Sequence, residues 1–283
     1  MLAKRALVVI ILLPIGLALI WLGGWAYTLM IALILGLAAW EFVQMFRTGG
    51  LQPAAALIIG GTLALVVGRA LDGFISSIWI LSLVVLVGMA YHLVAYERGR
   101  DQAGTDFGIS MAGVLYFGWI GAYLVSLRQL PEGVWWVLLA LPIVWLADSG
   151  AYFVGRSLGK HKLSPRLSPK KTWEGYFGGV IVGVLGGAGL AALYATFAGP
   201  TSAVSAASAV SAAAITPLRG AILGLVLSTI TTLGDLGESM IKRQVGVKDS
   251  GNLLPGHGGA FDRIDSWLWA GVLAYYVVVW LFR

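Results

Sequence analysis

Residues 25–46 read WAYTLMIALILGLAAWEFVQMF, an apolar run broken by one charged side chain, Glu41. A helix of about 20 mostly apolar residues crosses the hydrocarbon core of a bilayer, and this run is long enough. The same texture recurs on both sides of it. We read nine such segments: Ala6–Leu22, Trp25–Phe46, Ala54–Gly68, Phe74–Tyr96, Phe107–Leu127, Val134–Phe153, Tyr176–Phe197, Leu218–Leu236 and Trp267–Leu281. Composition agrees. The 283 residues are 59% hydrophobic and 11% charged, against about 25% charged in a soluble domain, and the mean hydropathy is +0.87. The fold class predicted is all-α, a polytopic integral membrane protein. Residues 1–283 are read as a single multi-span domain, with N-terminal helices over 1–130 and the site-bearing helices and loops over 134–283.

The first segment follows Lys4 and Arg5 and has the look of a signal peptide. No small-x-small cleavage site precedes the second run, so it is kept as an anchor. Counting Lys and Arg on alternate sides tests orientation. With the N-terminus inside, 15 basic residues fall on the inner side and 4 on the outer. The expectation is a cytoplasmic N-terminus and an outside C-terminus. The chain has no cysteine, which removes disulfides and thiolate metal sites. The net charge of +6 is read as basic loops facing anionic lipid and anionic substrate, with no nucleic-acid partner.

Chemistry concentrates in residues 234–265, GDLGESMIKRQVGVKDSGNLLPGHGGAFDRID. Five carboxylates (Asp235, Glu238, Asp249, Asp262, Asp265) lie beside Lys242, Arg243, Lys248, His257 and Arg263 in a chain that is otherwise apolar. If the helix from Leu227 continues through Gln244, then Asp235, Glu238 and Ser239 share a face, because residues three and four apart are neighbours on a helix. Asp262 and Asp265 repeat the spacing. Gly251, Pro255, Gly256, Gly258 and Gly259 break any helix between them and let backbone N–H groups approach a ligand. Hard oxygen ligands beside bare backbone and cations suit Mg²⁺ carrying a phosphate chain. The plain alternative is a solvated charged loop with Glu238 and Lys242 as an i,i+4 pair.

A second basic stretch, GRSLGKHKLSPRLSPKKTWEG over Gly155–Gly175, holds Arg156, Lys160, His161, Lys162, Arg166, Lys170 and Lys171. It reads either as an anchor for anionic headgroups or as a clamp for a triphosphate and a lipid phosphate. It is not a P-loop, since one residue is missing between its glycines and His161 stands where Ser or Thr is needed. Asp148, in WLADSGAYFVGR, is costly in an apolar helix unless partnered. A site role and an ion pair with a cation such as Arg156 are the two readings. Glu41 is read as snorkelling to the interface or pairing with a neighbour, with a site role as the alternative. Gly179, Gly183 and Gly187 let helix backbones approach, inside one subunit or across a dimer. Residues 201–216, rich in Ser and Ala, are given no function.

From Ser239 to Asp265 the sequence SMIKRQVGVKDSGNLLPGHGGAFDRID resembles the signature of the phosphatidate cytidylyltransferase (CDP-diacylglycerol synthase) family, and DSGAYFVGRSLGKHKLSPRLSPKKTWEG resembles the same family. The resemblance implies the reaction of CTP with phosphatidate to give CDP-diacylglycerol and pyrophosphate. It also implies a Mg²⁺ requirement, Asp235 and Asp262 as metal-binding acids, and a homodimer. The location expected is a bacterial inner membrane, with the site on the cytoplasmic side by the count of basic residues. Glu238 and Asp265 join the expected metal set. Asp148, Lys160, Lys170, Lys171, Ser239, Gly258 and Gly259 are expected to hold the nucleotide, and Lys242, Arg243, Lys248, Asp249, His257 and Arg263 to serve the reaction. Two rivals stay open: a CTP-dependent polyprenol kinase, and an ion-coupled transporter using Asp148 and Asp235.

Overall fold

The computed structural model describes residues 2–198, 215–251 and 258–282, with side chains from Ile10 onward. His257, Pro255 and Gly256 lie outside the described residues, as do Arg283 and nearly all of the Ser/Ala-rich segment. Each of the nine expected segments is helical over most of its length, with breaks inside 107–127 and 218–236. Eight helical stretches among the described residues are long and apolar enough to cross a membrane, and the described part of the first helix, Ile10–Leu22, is a shorter apolar one. In lipid a backbone N–H has no water to turn to, so helices are the form these runs can take. This is a multi-pass membrane protein.

The chain divides into two compact units. The first takes Met1–Ser126 together with Glu238–Leu268. Its helices are α1 (Leu2–Leu22), α2 (Gly24–Thr48), α3 (Ala55–Asp72), α4 (Ile75–Glu97) and α5 (Ala103–Gly113), followed by a π-helical stretch, Val114–Ile120. Helix α2 is central because it buries Tyr27, Ile31, Leu35, Ala38 and Phe42, a stripe at three- and four-residue spacing. Phe42 meets Phe117 and Phe261 edge-on, with ring centroids 5.4 and 6.5 Å away. Helix α4 instead leaves Ile75, Ile78, Trp79, Leu86 and Leu93 exposed, the surface that lipid requires.

The second unit takes Leu127–Gly237 and Trp269–Arg283. It begins with the last residues of α6 (Tyr123–Gln129), followed by α7 (Gly133–Leu158), a hairpin of β1 (Lys162–Ser164) and β2 (Ser168–Thr172), then α8 (Trp173–Ala198) and α9 (Pro217–Ile230). The hairpin is antiparallel, pairing Lys162 with Thr172 and Ser164 with Ser168. The glycine spacing in α8 is resolved within the chain. A Cβ on Gly187 would collide with the carbonyl of Gly220, and one on Gly224 with the carbonyl of Gly183, so α8 and α9 touch backbone to backbone. Lipid tails give helices no hydrophobic reason to associate, and such close packing replaces it.

The helix expected from Leu227 through Gln244 is interrupted. Helix α9 ends at Ile230, and α10 (Thr232–Gln244) starts after a turn at Thr231. The cause is local: Ser228, Thr229 and Thr231 each donate a hydroxyl to the carbonyl four residues back, a contact that bends helices. The final helix, α11 (Phe261–Leu281), begins six residues earlier than its apolar run, which places Asp262 and Asp265 in its first two turns.

Candidate active site

In the first unit the acids form a dense buried network. Lys242 reaches Asp262 Oδ1 at 2.7 Å and Glu238 Oε2 at 3.0 Å, so one ammonium lies between two carboxylates. Asp262 Oδ2 accepts hydrogen bonds from the backbone N–H of Ser250 at 3.0 Å, the Ser250 hydroxyl at 2.9 Å and the backbone N–H of Gly259 at 2.8 Å. The glycine loop therefore does present bare backbone to an anion, but the anion is the protein's own carboxylate. Gly258, at φ +80°, would place a Cβ 2.7 Å from Asp262 Oδ2, so only glycine fits there.

Glu238 is 2% exposed, and among the described residues its second oxygen, Oε1, has no hydrogen-bond partner. A buried orphan carboxylate oxygen is costly unless a cation completes it. The carboxylates of Glu238 and Asp265 approach within 4.8 Å, and Asp235 lies one turn before Glu238 on α10. Ligand oxygens around one small divalent ion sit about 2–2.6 Å from it, hence at most about 5 Å apart. Glu238 and Asp265 fit a divalent metal.

In the second unit the charges are fewer and more open. Lys171, on β2, forms an ion pair with Asp235, and both side chains are about one-third exposed. Asp148 lies on the exposed side of α7, within electrostatic range of Lys171 and Asp235. Arg156 is not its partner, since that guanidinium donates to the Tyr152 hydroxyl at 2.9 Å. The base of the hairpin is tied by Glu174, which accepts from the backbone N–H groups of Lys160 and His161 at 3.1 and 3.2 Å and contacts His161 Nδ1 at 2.5 Å. His161 is thereby a hairpin fastener.

Of the residues expected from sequence, Glu238, Lys242, Asp262 and Asp265 converge in one unit, and Asp148, Lys171 and Asp235 in the other. Lys160, Lys170, Arg243, Lys248, Asp249 and Arg263 are exposed and are not drawn into either network among the described residues. Ser239 is half-buried beside Glu238, and Gly259 is committed to Asp262. Sequence reading undervalued Glu41. Its carboxylate is 1% exposed and accepts from Ser250 Oγ at 3.0 Å and from the N–H groups of Ala260 and Phe261 at 2.9 Å each. The available signal was that it is the one charge in an otherwise apolar span.

A sequence model described as the Cytidylyltransferase family matches residues 3–281. The chain belongs to that family. Among its relatives, a protein of Pseudomonas aeruginosa is 40% identical, covering 99% of this chain and 97% of its own. One of Brucella suis is 37% identical over 97% and 92%, and one of Synechocystis is 32% identical over 98% and 97%. All three are named phosphatidate cytidylyltransferase. A cytidylyltransferase needs a way to hold a nucleotide's phosphates against a second anion, and acids paired with lysines are what both units of this family member offer.

Proposed function

We propose that this chain is a phosphatidate cytidylyltransferase, joining CTP and phosphatidate into CDP-diacylglycerol and releasing pyrophosphate. Near-full-length identity of 32–40% to proteins of that name carries the reading. The buried orphan oxygen of Glu238 among neighbouring acids supports it. Mg²⁺ is the metal proposed, held by Glu238 and Asp265 with Asp235 and Asp262; when bound it would offset phosphate charge and favour departure of pyrophosphate. The enzyme is further proposed to work as a homodimer in a bacterial inner membrane, with its site facing the cytoplasm. The 15-to-4 division of basic residues supports that orientation.

Phosphatidate is a phosphate monoester, whose second pKa of about 6 leaves it largely dianionic at neutral pH. It needs no base to become a nucleophile. What it needs is a setting in which one anion can approach another, since such transfers are mostly positioning and electrostatics. Lys242 is fixed by Glu238 and Asp262, and Lys171 sits at Asp235, so each ammonium has a defined place near the acids. A lipid phosphate oxygen attacks the α-phosphorus of CTP in line. The new P–O bond forms as the bond from the α-phosphorus to the α,β-bridging oxygen of CTP breaks, and that oxygen leaves with the electron pair as a terminal oxygen of pyrophosphate.

The test is positional labelling with purified protein, Mg²⁺ and phosphatidate. Label at the α-phosphorus of CTP should appear in the lipid product, and γ-label in pyrophosphate. γ-Label in the lipid would overturn the reading in favour of a kinase.

A further inference from the structure

Glu41 is separated from its partners by 209 to 220 positions in sequence, and its setting is more specific than an anchor requires. Among the described residues no lysine or arginine pairs with it. Its carboxylate is met by two backbone N–H groups at the start of α11 and by one hydroxyl, the kind of anion site a helix N-terminus provides. Two glycines also approach it closely. A Cβ at Gly251 would lie 2.5 Å from Glu41 Oε1, and one at Gly259 would overlap Glu41 Oε2 and Ser250 Oγ.

The hydroxyl decides the interpretation. Ser250 Oγ is 3.0 Å from Glu41 Oε2 and 2.9 Å from Asp262 Oδ2. A serine hydroxyl has one proton, so it donates to one of these carboxylates at a time. Whatever holds Glu41 therefore sets how Asp262 is hydrogen-bonded and where its oxygens point.

We propose that Glu41 is a positioning residue for the cytidylyl transfer, orienting the Asp262 carboxylate through the shared Ser250 hydroxyl while fixing the start of α11. This rests on the reading of Asp262 as an acid of the metal and phosphate site. Partners one shell outside a metal site typically alter its affinity by about 10–100-fold when lost, and Glu41 stands one hydroxyl away.

The experiment uses the full chain purified in detergent, with Mn²⁺ as the probe, titrated by electron paramagnetic resonance without substrates. Thermal unfolding and the kcat and KM for CTP are measured alongside. Glu41→Gln keeps size and removes the charge, and Ser250→Ala removes the bridge. Each should weaken Mn²⁺ binding about tenfold and lower kcat more than it raises KM. The double variant should be no worse than the poorer single one, because both act along one route. Unchanged Mn²⁺ binding in Ser250→Ala overturns the proposal even if Glu41→Gln fails to fold. So does multiplication of the two effects in the double variant. Asp262→Asn separates the two ideas. If it binds Mn²⁺ and turns over normally, the reading of Asp262 falls and this inference with it. If it loses both while Glu41→Gln binds normally, only this inference falls.

Discussion

Two lysines, Lys242 and Lys171, each sit against acids expected in the reaction, yet their surroundings differ. Lys242 is 13% exposed and lies between Glu238 and Asp262, which are 2% and 8% exposed at the side chain. Asp262 is further held by Ser250 and Gly259. Lys171 is 28% exposed on a short hairpin and meets Asp235 at 33%. The first arrangement is built before any substrate arrives, since each group is fixed by several others. The second depends on one contact and can give it up. A dielectric argument separates them, because buried charges lose a great deal when a partner goes, while exposed ones are compensated by solvent. A nucleotidyl transfer has use for both, a rigid charge field and a cation free to follow a phosphate.

The largest effect expected is Asp262→Asn, which removes one charge from the rigid group. Turnover should fall roughly 1,000-fold or more while the protein still inserts and purifies, as read by activity and size-exclusion profile. Activity near the parent's across a Mg²⁺ titration would dissolve the distinction between the two groups.

Next comes the pair Lys242→Met and Lys171→Met. The first leaves two buried acids facing each other and should cost about 3–5 kcal/mol of stability, visible as a lowered unfolding temperature. The second should cost under about 1 kcal/mol and act instead on substrate, raising the KM for CTP or phosphatidate several-fold. Equal losses of stability would mean that exposure does not distinguish them.

The smallest effect belongs to the hairpin base. Glu174→Gln removes charge from the acceptor of the Lys160 and His161 N–H groups, and should change stability least of all, because solvent screens an exposed contact. Limited proteolysis near Arg166 should become faster as the hairpin loosens. An unfolding temperature lowered as far as by Lys242→Met would show that the hairpin belongs with the rigid part.

Much of this was legible in the chain. The nine apolar runs became helical, most at nearly the expected bounds but with 107–127 and 218–236 broken into shorter pieces, because burial in lipid is set by composition over about 20 residues, a local property. The break at Thr231 was readable in principle from the run STITT at 228–232, whose hydroxyls compete for backbone carbonyls. The two stretches in which charged side chains gather, 234–265 and 155–175, followed from charge density alone.

Partnership was not legible. Lys171, read as a free phosphate binder, meets Asp235, while Arg156 turns to Tyr152 and leaves Asp148 to other neighbours. Gly258 and Gly259, expected to approach a ligand, close around Asp262. Glu41, read as snorkelling, is buried against a loop more than 200 positions away. Sequence determined the membrane class, the helices and which stretches carry charge, because each depends on residues within a turn or a span of one another. Tertiary structure decided which cation meets which acid and which carboxylate is left with an open oxygen. Those outcomes depend on how distant helices pack, and at these positions a shift of one turn would exchange every partner.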